Sequence, residues 1–139
     1  MQSLPLNKRL GFILLSILFA TLVSCDSSGE KAFVGCYAIE ENGEAVLKIT
    51  KDGGKYFATI DHGAEWGESV SLRSGTPEEV KELFREDSEK VRTSLVADED
   101  SFGIFLVTPG DEFKGHKAET KYISFLGFSA GSVYKVSCK

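Results

Sequence analysis

The chain has 139 residues, of which 42% are hydrophobic and 27% charged, with 16 basic against 21 acidic side chains and a net charge of −5. This length supports one domain with a modest core. The acidic balance argues against nucleic acid or an anionic membrane surface as partner and favours a basic one.

The chain opens with Lys8 and Arg9 and no acid, followed by the uncharged run "LGFILLSILFATLVS". This is the layout of a secretory signal. A bilayer-spanning helix needs roughly 20 apolar residues, and polar "CDSSGEK" cuts the run short, so a cleaved signal is expected rather than a transmembrane anchor. The run ends in Leu22-Val23-Ser24-Cys25, which resembles the lipobox of bacterial lipoproteins. The resemblance implies that residues 1–24 are removed, that Cys25 receives a diacylglyceryl group and an N-acyl chain, and that the protein is lipid-anchored in a cell envelope. Two or more chains hold a protein on a membrane, at about 0.8 kcal/mol per buried methylene. Asp26 is similar to the inner-membrane retention signal of enterobacterial lipoproteins, a rule that varies between bacteria. Residues 25–31 then read as a lipidated N-terminus and flexible tether, and 32–139 as a single β-rich domain.

Cleavage before Cys25 would leave 115 residues, with 14 basic and 21 acidic side chains and a net charge of −7. The other two cysteines, Cys36 and Cys138, would then face an oxidising compartment, where a disulfide is the default. Such a bond makes the first and last strands neighbours.

Asn42-Gly43 marks a two-residue hairpin turn. Centred there, it pairs Ala38 with Leu47 and Cys36 with Ile49, so that both cysteines are expected on inward faces. Asp52-Gly53-Gly54 returns the chain and adds Ala58 and Ile60 to the face of Leu47 and Ile49, with Lys48 and Thr50 outward. The period then changes. Thr76 as N-cap, Pro77 at the first helical position and Glu79 closing a capping box predict a helix, with Val80, Leu83, Phe84 and Val91 as its apolar stripe. Its acids are read as a solvated face. "RTSLVA" and "SFGIFLVT" follow as strands. The second is apolar on both faces, and the helix is its expected lid. "YISFLGF" and "SVYKVSC" form a last hairpin joined by Ser129–Ser132, with Tyr134, Val136 and Cys138 inward and Lys135 outward.

The expected fold is mainly β: a small antiparallel β-barrel or strongly curved sheet of about eight strands with one packed α-helix. The stretch opening Gly35-Cys36-Tyr37 and containing "LKITKDGGKY" is similar to small lipocalin-like β-barrel lipoproteins. That resemblance bears on architecture and carries no functional residues with it.

The only histidines, His62 and His116, both lie beside glycine, and neither sits in a zinc-ligand spacing. Asp98-Glu99-Asp100 lacks the glycine and terminal glutamate of a calcium loop. No nucleophile elbow, phosphate loop or HExxH is present. No enzyme activity, metal or cofactor is therefore expected. Trp66, the only tryptophan, fits either an exposed anchor or a core residue at a barrel end, and its size tips the reading toward the core. Two functions remain. The first is a binding module, concretely an inhibitor or immunity lipoprotein that meets a basic hydrolase or toxin through Glu41, Glu44, Glu65, Trp66, Asp98, Glu99 and Asp100. The second is a carrier or envelope chaperone holding an apolar ligand inside the barrel.

Overall fold

The computed structural model describes residues 28–61, 63, 65–98, 102–126 and 129–139. The lipobox and Cys25 thus lie outside the described residues, as do His62, Glu99 and Asp100. In chain order the elements are a helical turn α1 (Ser28–Lys31), β1 (Gly35–Ala38), β2 (Leu47–Asp52), β3 (Lys55–Ile60), β4 (Val70–Ser74), α2 (Pro77–Phe84) continued by a 3-10 segment (Arg85–Lys90), β5 (Thr93–Ala97), β6 (Phe102–Leu106), the short β7 (Glu112–Phe113) and β8 (His116–Lys117), β9 (Tyr122–Leu126) and β10 (Ser129–Val136). Eight strands close into an antiparallel barrel in the order β1-β10-β9-β6-β5-β4-β3-β2, and β7 pairs with β8 in a separate hairpin. This is the expected barrel with one packed helix.

The β2–β3 hairpin follows from its glycines. Gly53 and Gly54 take φ of 57° and 80°, the conformation a two-residue turn demands. Asp52 then pairs with Lys55, Ile49 with Ala58 and Leu47 with Ile60, all as the alternation predicts. The β1–β2 register differs from the expectation by one residue. Gly43 N–H bonds Glu40 O at 3.0 Å, so Asn42, at φ 60°, is the third residue of the turn and not the second. Tyr37 pairs with Leu47 and Cys36 with Lys48. A one-residue slip inverts every side chain of a strand. Tyr37 therefore points into the barrel, fully buried, and its Oη donates to Phe33 O at 2.5 Å.

Both cysteine faces are corrected by the same slip. Cys36 pairs with Val136 and shares the outer face with Lys48, while Lys135, opposite Tyr37, belongs to the inner face. The Cys36–Cys138 disulfide is present, with Cα atoms 5.3 Å apart, but it ties β1 to the C-terminal segment on the outside of the barrel. Lys135 closes the interior at one end: its ammonium bonds Ala32 O at 2.9 Å and lies over the rings of Tyr37 and Tyr122. The last hairpin also differs from the expectation. Ser129 pairs with Leu126 and Ser132 with Ile123, so Ser129–Ser132 is strand.

Two cores result. The barrel interior is filled by Phe33, Tyr37, Leu47, Ile49, Tyr56, Leu72, Leu95, Phe102, Ile104 and Val133. The second core lies outside the wall, where Phe84 of α2 meets Phe105, Val107, Phe113 and Ile123, with Val80, Leu83 and Val91 packed against it. Phe84 stands edge-on to Phe105 at 4.8 Å and to Phe113 at 5.6 Å. β6 is thus covered on both faces, as its sequence requires. The capping box is complete: Thr76 Oγ1 accepts from Glu79 N–H, and the Glu79 carboxylate accepts from Thr76 N–H.

Residues 28–31 lie within the stretch 25–31 read as a tether. They form α1, where Gly29 packs against Thr93 and Glu30 accepts from Ser74 Oγ.

Candidate functional site

Antiparallel alternation sorts the connections of an up-and-down barrel onto two ends. At one end lie α1 and Phe33, the Gly53-Gly54 turn, the β4–β5 connection carrying α2, the β6–β9 connection carrying β7 and β8, and the C-terminus. At the other end lie the described residues of three connections: 39–46, then 61, 63 and 65–69, and then Asp98. Five of the residues singled out for binding, Glu41, Glu44, Glu65, Trp66 and Asp98, fall in these segments, while Glu99 and Asp100 lie outside the described residues. The fold brings them to one end from three separate stretches of sequence.

The charge of that end is one-sided. Its described residues include seven acids, namely Glu40, Glu41, Glu44, Asp61, Glu65, Glu68 and Asp98, and no lysine or arginine. From Cys25 onward the rest of the chain holds 14 basic and 14 acidic side chains. The acids at 40, 41, 44, 65, 68 and 98 are exposed. Asp98 is partly committed, because it bonds Arg73 Nε at 2.5 Å. Arg73 also grips Glu79 at 2.6 Å, and these two carboxylates raise the guanidinium's pKa. The same pairing, with the Thr76 backbone bond, lowers Glu79 to about 2.

Two large apolar side chains stand among the acids. Ile39 is 67% exposed and Trp66 is 42% exposed, which settles the tryptophan question against the core. Its loop is braced. Asp61 and Trp66 form an isolated antiparallel bridge, Gly67 N–H bonds Ile60 O at 2.9 Å, and Gly63 N–H bonds Asp61 Oδ1 at 2.8 Å. Trp66 is thus held on a tied loop rather than a free one. Ile39 escaped sequence reading; continuing the inward alternation of Gly35 and Tyr37 past the end of β1 would have placed it at the barrel mouth.

The described interior is packed with buried side chains of the first core, Phe33, Tyr37, Leu47, Ile49 and Leu95 among them. Burial pushes the Tyr37 phenol far above its usual pKa, which keeps it neutral. Among the described residues no three His, Cys, Asp or Glu side chains converge as metal ligands, and no helix is long and apolar enough to cross a membrane. No protein-family model, no curated protein and no solved structure matches the chain.

Proposed function

We propose that this chain is a binding protein that presents the acidic end of its barrel to a basic protein, most concretely as an inhibitor or immunity protein against a cationic secreted hydrolase or toxin. In this reading Cys25 carries the lipid that holds it in the cell envelope. The observation that supports it best is the convergence, among the described residues, of seven acids, no lysine or arginine, and the exposed Trp66 and Ile39 on one end. Interfaces use such parts differently: rim charges speed encounter, and a desolvated aromatic slows escape. The filled interior favours this reading over a carrier with its ligand inside the barrel.

The test is surface plasmon resonance with basic secreted wall hydrolases over the immobilised protein at low and high salt. Reversing Glu41, Glu44 and Glu65 to Lys should slow association about tenfold or more and flatten its salt dependence. Trp66→Ala should speed dissociation about thirtyfold, the size of a strong interface anchor, with an unchanged melting temperature. If no cationic protein is retained at low salt, the reading is wrong.

A further inference from the structure

A recess lies outside the barrel wall. It is a cavity of about 330 Å³ between α2, the β7–β8 hairpin and the outer faces of β9 and β10. Its size falls in the range of small-molecule sites, roughly 300–1,000 Å³. Leu83, Phe84, Phe105, Phe113, Ile123 and Phe125 form the floor. Past Leu83, Phe105 and Phe125 it continues along α2 into a recess of about 300 Å³ lined by Val96, Ala97, Phe102 and Gly103, with Glu79 and Glu82 also bordering it. The two share Glu82, Leu83, Phe105 and Phe125 and together make one elongated groove.

The cationic groups border the larger cavity. Arg85, Lys114, His116 and Lys117 border the cavity, with Glu82 as the opposing charge. Asp87, close by, is already engaged by Lys90 Nζ at 2.7 Å and Lys114 N–H at 3.0 Å. Among the described residues no ion pair or side-chain hydrogen bond occupies Arg85, Lys114, His116 or Lys117. The Lys114 ammonium interacts electrostatically with Asp87, and the cavity border carries more basic than acidic side chains on a chain whose net charge is negative.

The backbone under these cations is unusual. Only three non-glycine residues among those described have positive φ, and two of them, Arg85 (54°) and Lys114 (51°), border this one cavity. Long side chains in this region cost of order 1–3 kcal/mol each, and glycine would avoid that cost. Strain retained at two cations of the same lip points to a use for their side chains.

We infer that this groove binds a fatty acid, with the alkyl chain along the α2 groove and the carboxylate at Arg85, Lys114 and Lys117. The floor supplies only aromatic and aliphatic side chains, and the strand backbones beneath it are paired in the barrel ladder. Nothing there can satisfy the amides of a peptide, whereas an alkyl chain asks for none. One anionic head matches the lip.

The test labels the full-length protein in bacterial membranes with a photoactivatable fatty acid and maps the adducts by mass spectrometry. Adducts are expected in segments 83–85, 113–118 and 123–131, competed by unlabelled fatty acid, and several-fold weaker with the fatty alcohol of equal length. Ala130, exposed on the outer face beside Phe125, lines the cavity, so Ala130→Trp should fill it and abolish labelling. Arg85→Gly with Lys114→Asn should weaken labelling about tenfold while leaving the melting temperature equal or higher, because both replacements tolerate positive φ. A merely structural role for these cations would not separate the two readouts. Adducts scattered elsewhere, labelling indifferent to Ala130→Trp, or labelling that appears only in Cys25→Ser, where the chain's own acyl group would be missing, each overturn the inference. None of these outcomes depends on the acidic end.

Discussion

Replacing both Cys36 and Cys138 by alanine should remove most of the covalent contribution to stability without dissolving the barrel. The bond joins residues 102 apart in sequence. The chain-entropy relation assigns a loop of that length about 4.7 kcal/mol, acting on the unfolded chain. The native state keeps its own closure, because β1 pairs with β10 through Cys36–Val136, Tyr37–Lys135 and Ala38–Tyr134 whether or not the sulfurs are joined. Domains of this kind have roughly 5–15 kcal/mol in all, so the double variant should remain folded but marginal. Urea unfolding followed by tryptophan fluorescence and circular dichroism should show the midpoint falling by an amount equal to about 3–5 kcal/mol, with a larger m-value as the unfolded chain expands. A loss below about 1 kcal/mol with an unchanged m-value would refute the entropic account.

Three further outcomes follow from particular atoms. Gly103→Ala would place a methyl 2.8 Å from the fully buried Phe105 ring and 3.3 Å from Val96, so denaturant midpoints should fall by about 1–3 kcal/mol, whereas Gly131→Ala, with nothing within 4 Å, should be near neutral. Glu79 has a folded pKa of about 2 against an ordinary 4.5, so its contribution is full above pH 4.5 and is lost as pH falls through 2; Glu79→Gln should flatten the stability profile across that window, as measured by thermal melts. Cys25→Ser should abolish lipidation and move the protein out of the detergent-extracted membrane fraction, and an unmodified Cys25 thiol in the intact mass of mature wild-type protein would refute the lipobox reading.

Much of the fold was legible where local chemistry and global packing agree. Thr76, Pro77 and Glu79 begin a helix whatever surrounds them, and β6, apolar on both faces, asked for two covers and has them. The register of β1 was not legible from its turn. Asn42-Gly43 satisfies a tight hairpin, but the chain spends one more residue there, and the reason lies in the core: the slip buries Tyr37 and leaves the small Cys36 on the outer face, where its partner Cys138 is exposed. Weighing the apolar area of tyrosine against cysteine would have found it. The groove under α2 was beyond sequence reading, because Phe84, Phe105, Phe113 and Ile123 meet only in three dimensions and each alone reads as ordinary core.

The two ends of the barrel differ in charge, and the topology accounts for this. In an eight-stranded meander every second connection returns to the same end, so three acidic loops far apart in sequence add their charge in one place. The described chain enters at the other end, where Phe33 plugs the interior beside Tyr37 and Tyr122 and where Lys135 sits over the rings. A tether leaving from α1 would therefore hold the molecule by its plugged end and turn Trp66 and Ile39 outward. Moving the attachment to the acidic end by circular permutation, through the Asn42-Gly43 loop, would keep the barrel intact and bury that surface against the membrane. Loss of partner binding in the anchored permutant, with binding retained by the same permutant in solution, would show that presentation away from the membrane is what the closed barrel provides.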